Sequence, residues 1–210
     1  MPPKIRAVIF DLDGVLVDAT EWHYNALNRA LDLFGYTITR FEHLTSYNGL
    51  PTRKKLEMLS VTKGLPRGLH RLLNAAKQKY TRQEILQYCV PAFDKEHMVR
   101  QLRRDGYRLA VCSNSIRESI QLMLDGSAIL DEFEFFVSNE DVRHAKPDPQ
   151  MYKIALERLG IRPDEAVVVE DADPGVQAAT AAGAHVCRVA SYDEVNYSRI
   201  SSFINKVEAS

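Results

Sequence analysis

Five short runs rich in Val, Ile, Phe and Ala, at residues 5–10, 107–112, 134–137, 166–169 and 185–189, recur along the chain with helix-patterned segments between them. Runs this short are strands rather than helices, and their nearly unbroken apolar character suits strands covered on both faces. The intervening segments carry helix end signals. Residues 95–105 stop at Gly106, residues 149–159 open on Pro149 and stop at Gly160, and residues 174–182 open on Pro174 and stop before Gly183. Strand–helix alternation of this kind predicts an α/β fold, a doubly wound parallel sheet with helices on both faces.

One stretch breaks the alternation. From about residue 20 to 89 only helical periodicity appears. Trp22, Ala26, Leu27, Ala30, Leu31 and Phe34 form an apolar stripe that ends before Gly35, and residues 51–59, 66–75 and 77–88 read as further helices. A helical insertion after the first strand is expected, with the chain returning to the sheet near Pro91. The charge divides the same way. Residues 53–82 hold nine Lys and Arg against Glu57 alone, while the 210-residue chain has a formal net charge of −1, so the remainder is acidic. The overall balance excludes a polycation built to coat nucleic acid, and the basic stretch lacks interleaved aromatics. No window approaches a membrane span, and the first apolar run stops at Asp11, too soon for a signal peptide. Three widely spaced cysteines, Cys89, Cys112 and Cys187, exclude a CxxC motif and suit a reducing compartment. The expectation is a cytoplasmic protein, monomeric or weakly dimeric, with no membrane or nucleic-acid partner.

In an open α/β sheet, ligands bind beyond the carboxyl ends of the strands. The first run is followed by Asp11-Leu12-Asp13-Gly14, and the second by Ser113-Asn114-Ser115. The third leads to Ser138-Asn139-Glu140-Asp141 and then Lys146-Pro147-Asp148-Pro149, and the fourth to Glu170-Asp171. Each has an ordinary alternative: Asp11 and Asp13 as turn carboxylates, Glu170-Asp171 as a solvated strand end, Lys146 as a surface lysine, Ser113 as a helix cap. Four acids gathered at one sheet edge would nevertheless repel strongly without a cation, and a hard divalent ion with oxygen ligands, Mg2+ above all, is the natural occupant. An EF-hand is excluded because Gly14 comes too early in the loop. The hydroxyl, amides and ammonium of Ser113, Asn114 and Lys146 suit phosphate oxygens.

In order and spacing, Asp11-Leu12-Asp13-Gly14-Val15-Leu16-Val17-Asp18, Ser113, Lys146-Pro147-Asp148-Pro149 and Glu170-Asp171 with Pro174 and Gly175 resemble the four motifs of the haloacid dehalogenase superfamily. With the helical insertion after the first motif, the chain is similar to members with a small helical cap, including beta-phosphoglucomutase and sugar phosphatases. The resemblance implies a Rossmann-like core at residues 1–19 and 90–210 and a helical cap at 20–89. It implies Asp11 as nucleophile and Asp13 as general acid and base. Mg2+ would be held by Asp11, the Asp13 carbonyl and Asp171, with Glu170 in or just behind that shell. Ser113, Asn114 and Lys146 would hold the phosphate. An aspartate at position 13 argues for phosphate esters over carbon–halogen or phosphonate bonds. Among cap residues, His23 falls where a hinge histidine often sits, alternatively a partly buried helix residue. Gly49 and Arg53 resemble a substrate-facing loop. Two departures stand out: Ala19 follows Asp18 where many relatives have Ser or Thr, and Pro91-Ala92 replaces the usual Pro-Gly.

The reading is a Mg2+-dependent phosphatase acting on a small phosphorylated metabolite through an aspartyl-phosphate. The alternative is a phosphomutase of the beta-phosphoglucomutase type, which shares every one of these residues; a non-catalytic binding module stands further back. The basic cap predicts an anionic substrate with a second negative group such as a phosphate or carboxylate, with Arg53 the expected direct contact and Lys77 or Lys79 opposite it.

Overall fold

The structure, a computed structural model, describes residues 4–210; residues 1–3 of the expected first core segment lie outside it. Five parallel strands, β1 (Ala7–Phe10), β2 (Arg108–Cys112), β3 (Phe135–Val137), β4 (Ala166–Glu170) and β5 (His185–Arg188), form one sheet in the order β3-β2-β1-β4-β5. The expected doubly wound parallel sheet is present. Beyond β1 the chain rises into α1 (Thr20–Asp32), a short α2 (Arg40–Glu42) running into a π turn (His43–Tyr47), α3 (Thr52–Thr62) and α4 (His70–Tyr88). It then alternates through α5 (Phe93–Arg104), α6 (Arg117–Gly126), α7 (Gln150–Leu159), α8 (Asp173–Ala181) and α9 (Tyr197–Glu208).

The two-residue period of the strands sorts the core. Val8, Phe10, Leu109, Val111, Val167 and Val169 face α5, α6 and α9 through Met98, Val99, Ile120, Met123, Ile200 and Ile204. Ala7, Ile9, Ala110, Ala166 and Val168 face α7 and α8 through Tyr152, Ala155, Leu156, Ala178 and Ala179. Three alanines on that second face let α7 and α8 lie close to the sheet. The helices of the insertion pack on one another around Leu27, Leu31, Ile38, Leu56, Leu59 and Leu73.

Three sequence readings change. The helices expected at 66–75 and 77–88 are one continuous α4, preceded by a single 3-10 turn at Arg67–Leu69, because Ala75-Ala76 offers no break and good helix formers run through it. Phe34 leaves the apolar stripe: α1 ends at Asp32, and the side chain is 38% exposed. The segment after β5, which sequence left open between docked helix and tail, docks. The buried ammonium of Lys95 donates to the Tyr192 and Val195 carbonyls at 3.0 and 2.8 Å, and Glu208 accepts from the Ile5 amide at 2.9 Å. No helix among the described residues is long and apolar enough to cross a membrane.

Candidate active site

β1, β2 and β4 end side by side, so the polar residues that follow them meet at one edge. A cleft of about 710 Å3, counting its open mouth, lies there. Asp11, Asp13, Asn114, Lys146, Glu170 and Asp171 wall it from the sheet side; His23, Gly49, Lys55 and Lys77 wall it from the insertion.

On the sheet side Lys146 is the hub. Its buried ammonium donates to Asp11 Oδ1 at 2.7 Å, Glu170 Oε1 at 2.6 Å and the Cys112 carbonyl at 2.7 Å. An ammonium has three hydrogens, and all three are used. The lysine alternative of a surface side chain is thereby removed. Burial disfavours the charge, but Asp11 and Glu170 outweigh it and hold the Lys146 pKa above its usual value. Tyr152 of α7 also donates to Glu170 Oε1. Glu170 needs unusual room: a Cβ on Gly175 would lie 1.9 Å from its carboxylate, so only glycine fits at that point of α8. Gly14 plays the same part for Asp171. Its φ is +88°, and a Cβ there would come within 2.4 Å of Asp171 Oδ2.

Asp11, Glu170 and Asp171 each place a carboxylate oxygen within 4.8 Å of the others. Burial first, and then the neighbouring Asp13, raise the Asp11 pKa against the pull of Lys146. Burial and Asp11 push Asp171 up to about 7. An all-oxygen acidic set with one lysine to offset it fits a hard divalent cation. Lys146 occupies one oxygen each of Asp11 and Glu170, and Tyr152 adds to Glu170, which leaves Asp171 as the freest donor.

Asp13, two residues on, belongs to a different network. Its Oδ2 accepts from Ser115 Oγ at 2.9 Å and Ser113 Oγ at 3.2 Å, and its Oδ1 meets His23 Nε2 at 2.8 Å. The ionised Asp13 carboxylate can only accept, so His23 Nε2 carries the proton it gives to Asp13, and Nδ1 lies 3.2 Å from Lys77 Nζ. Burial, then the Lys77 charge, lower the His23 pKa against the pull of Asp13. Burial would raise Asp13, but His23, Ser115 and Lys77 together hold it well below the usual carboxylate range. Burial and Lys55 bring Lys77 itself down to about 7.

The structure redistributes several expected roles. Ser113 is fully buried under Asp13 rather than at the cleft surface; Ser115, which sequence passed over, reaches the cleft. Asn114 Nδ2 donates 2.8 Å to the Gly49 carbonyl, so Gly49 joins the insertion to the sheet edge. Arg53 is not in the site. Its side chain is 89% exposed and pairs with Glu57 at 3.1 Å. On α3 the inward positions are Thr52, Lys55, Leu56 and Leu59, and Arg53 points away from that face. Lys79 is likewise exposed, about 200° around α4 from the inward Lys77. Lys55 and Tyr152 were missed. A two-residue step from Arg53, and a helix position 18 residues before Glu170, carry no local signal of the cleft.

Residues 8–189 match the family model described as haloacid dehalogenase-like hydrolase. The chain is 30% identical over 183 residues to a phosphorylated carbohydrates phosphatase of Thermotoga maritima, covering 85% of this chain and 82% of that one. It is 26% identical over 188 residues to beta-phosphoglucomutase of Bacillus subtilis, covering 85% and 80%. In fold it resembles the crystal structure of beta-phosphoglucomutase from Clostridium difficile, with a TM-score of 0.85 and 20% identity over 98% of this chain and 100% of that chain.

Proposed function

The chain belongs to the haloacid dehalogenase-like hydrolases, and from that premise we propose a Mg2+-dependent phosphatase of small phosphorylated metabolites that works through a phosphorylated Asp11. The observation that carries the reading is the contrast between two carboxylates on one strand end. Asp11 sits with Lys146, Glu170 and Asp171 at the acidic cluster that suits a cation, while Asp13 meets His23 and two serines instead. The first set suits a metal-held nucleophile and the second a proton carrier.

Asp11, Asp171 and the Asp13 carbonyl would hold the metal, with Glu170 beside them. A bound Mg2+ screens a carboxylate from an incoming phosphate and draws charge from its oxygens. Lys146 fixes one Asp11 oxygen, which leaves the other to attack phosphorus. As the phosphorus–oxygen bond to the leaving group breaks, Asp13 gives that oxygen its proton. It then takes a proton from the water that releases phosphate from Asp11. Asp13 rests ionised, and the dianionic substrate raises its pKa toward the acid form needed for the first step. The insertion acts as a cap that excludes bulk water while this happens.

The test is release of inorganic phosphate from an aryl phosphate by wild type and Asp11→Asn; undiminished turnover in the variant sinks the assignment. Screening phosphorylated metabolites for phosphate release against isomerisation then separates phosphatase from phosphomutase.

A further inference from the structure

Lys55 is only 5% exposed, on the inward face of α3, and its side chain lines the cleft. No hydrogen bond or ion pair reaches its ammonium among the described residues, and Asp13 is the sole opposite charge close enough to matter. Of the insertion's acids, Glu57 pairs with Arg53, Glu42 with Lys63, Glu84 with Arg29 and Glu21 with Arg40, and Asp32 is exposed at the end of α1. Asp13 already takes His23, Ser113 and Ser115. Burying an ammonium without a partner is costly, and natural folds keep such groups where a ligand completes them.

The neighbours do not relieve the charge. Lys77, 6% exposed, lies on the same wall and repels Lys55. His43 is fully buried, and neither ring nitrogen makes a well-formed hydrogen bond, although the Thr20 backbone lies near. Burial, then Lys55 and His23, hold its pKa at about 3, so it brings no charge of its own. The sheet side of the cleft is short of positive charge, and the cap side holds a cation to spare.

We propose that Lys55, with Lys77 beside it, is the subsite for a second anionic group on the substrate, a carboxylate or phosphate on the part of the molecule that is not transferred. The proposal rests on the phosphatase reading for the position of the transferred phosphate. It replaces Arg53 with Lys55 as the residue that selects an anionic substrate. Because Asp13 lies close enough for its charge to act on Lys55, a compact molecule with its two anionic groups a few bonds apart is favoured.

Three compounds of matched length test it: ethyl phosphate, 2-phosphoglycolate and ethane-1,2-diol bisphosphate. Turnover is measured in wild type, Lys55→Met and Lys55→Arg. Binding is measured by calorimetry in Asp11→Asn with and without Lys55→Met. The proposal expects wild type to prefer one or both of the compounds with an anionic tail, and Lys55→Met to lose about 10- to 100-fold in kcat/KM on those alone, the worth of a hydrogen bond to a charged group. Lys55→Arg should recover part of that loss, and ethyl phosphate should change less than about threefold. The preferred compound tells carboxylate from phosphate. Equal losses on all three compounds, or no anion preference in wild type, overturn the subsite. If nothing is hydrolysed, calorimetry decides: Lys55-dependent binding of the anionic compounds upholds the subsite and defeats only the phosphatase reading, and Lys55-independent binding or none defeats the subsite.

Discussion

The two walls of the cleft are built on opposite principles. On the sheet side, charged groups are paired before any ligand arrives: Lys146 spends all three hydrogens on Asp11, Glu170 and a carbonyl, and Tyr152 backs Glu170. On the insertion side, among the described residues, no partner reaches Lys55 and Lys77 touches only His23. A wall complete by itself can run one chemistry on many esters. A wall that is incomplete can choose among them, because its missing partner must come with the substrate.

The largest effect expected from breaking this contrast is on the paired side. Lys146→Met strands Asp11 and Glu170 in a buried site, so it should cost about 3–5 kcal/mol in denaturant unfolding and abolish turnover. Lys55→Met removes a cation that had no partner, so its stability should hold or rise. A loss of equal size in both variants would erase the distinction between the walls.

Next comes the metal. Burial, with Asp11 adding and Lys146 opposing, brings Glu170 up to about 8, and burial with Asp11 brings Asp171 up to about 7. Unfolded carboxyls titrate at about 4. The folded, metal-free chain therefore binds more protons than the unfolded chain between those limits. The stability these groups give is fully present below about pH 4 and is lost as pH rises toward about 8. Saturating Mg2+ should offset that loss, so the gap in Tm between the Mg2+-loaded and metal-free protein should widen with pH. At 100 times Kd the ion is worth about 2.7 kcal/mol. Asp171→Ala should close the gap. A gap that is flat with pH and survives in Asp171→Ala would leave the acidic cluster without a cation.

The smallest effect is expected at Arg53. Exposed and paired only with Glu57, Arg53→Ala should change stability by less than about 0.5 kcal/mol. It should also leave kcat/KM within about twofold across salt concentrations. A strong salt-dependent loss would return the selecting role to Arg53 and away from Lys55.

What sequence disclosed and what it hid divide along the same line as the two walls. Asp11, Asp13, Glu170 and Asp171 were legible because each lies within three residues of the end of an apolar run, and a parallel sheet must bring those ends together. Lys146, nine residues beyond the third run, was legible only through the family motif it resembles. The insertion offered only a count of basic residues. Whether position 53 or 55 faces inward depends on how α3 is rotated against α1 and α4, which a charge count does not encode. Tyr152 was hidden for a related reason: it reads as one more apolar position of α7, and its hydroxyl finds Glu170 only through tertiary packing. Phe34 failed in the other direction, since the stripe continued past the point where α1 ends.

The central claim, that Asp11 carries the transferred group, is tested most directly by rapid acid quench during turnover of a phosphate ester radiolabelled on phosphorus. The account predicts label bound covalently to the chain within one turnover, located by digestion to the peptide holding Asp11 and absent in Asp11→Asn. Turnover without any labelled chain, or label that persists in Asp11→Asn, would contradict it.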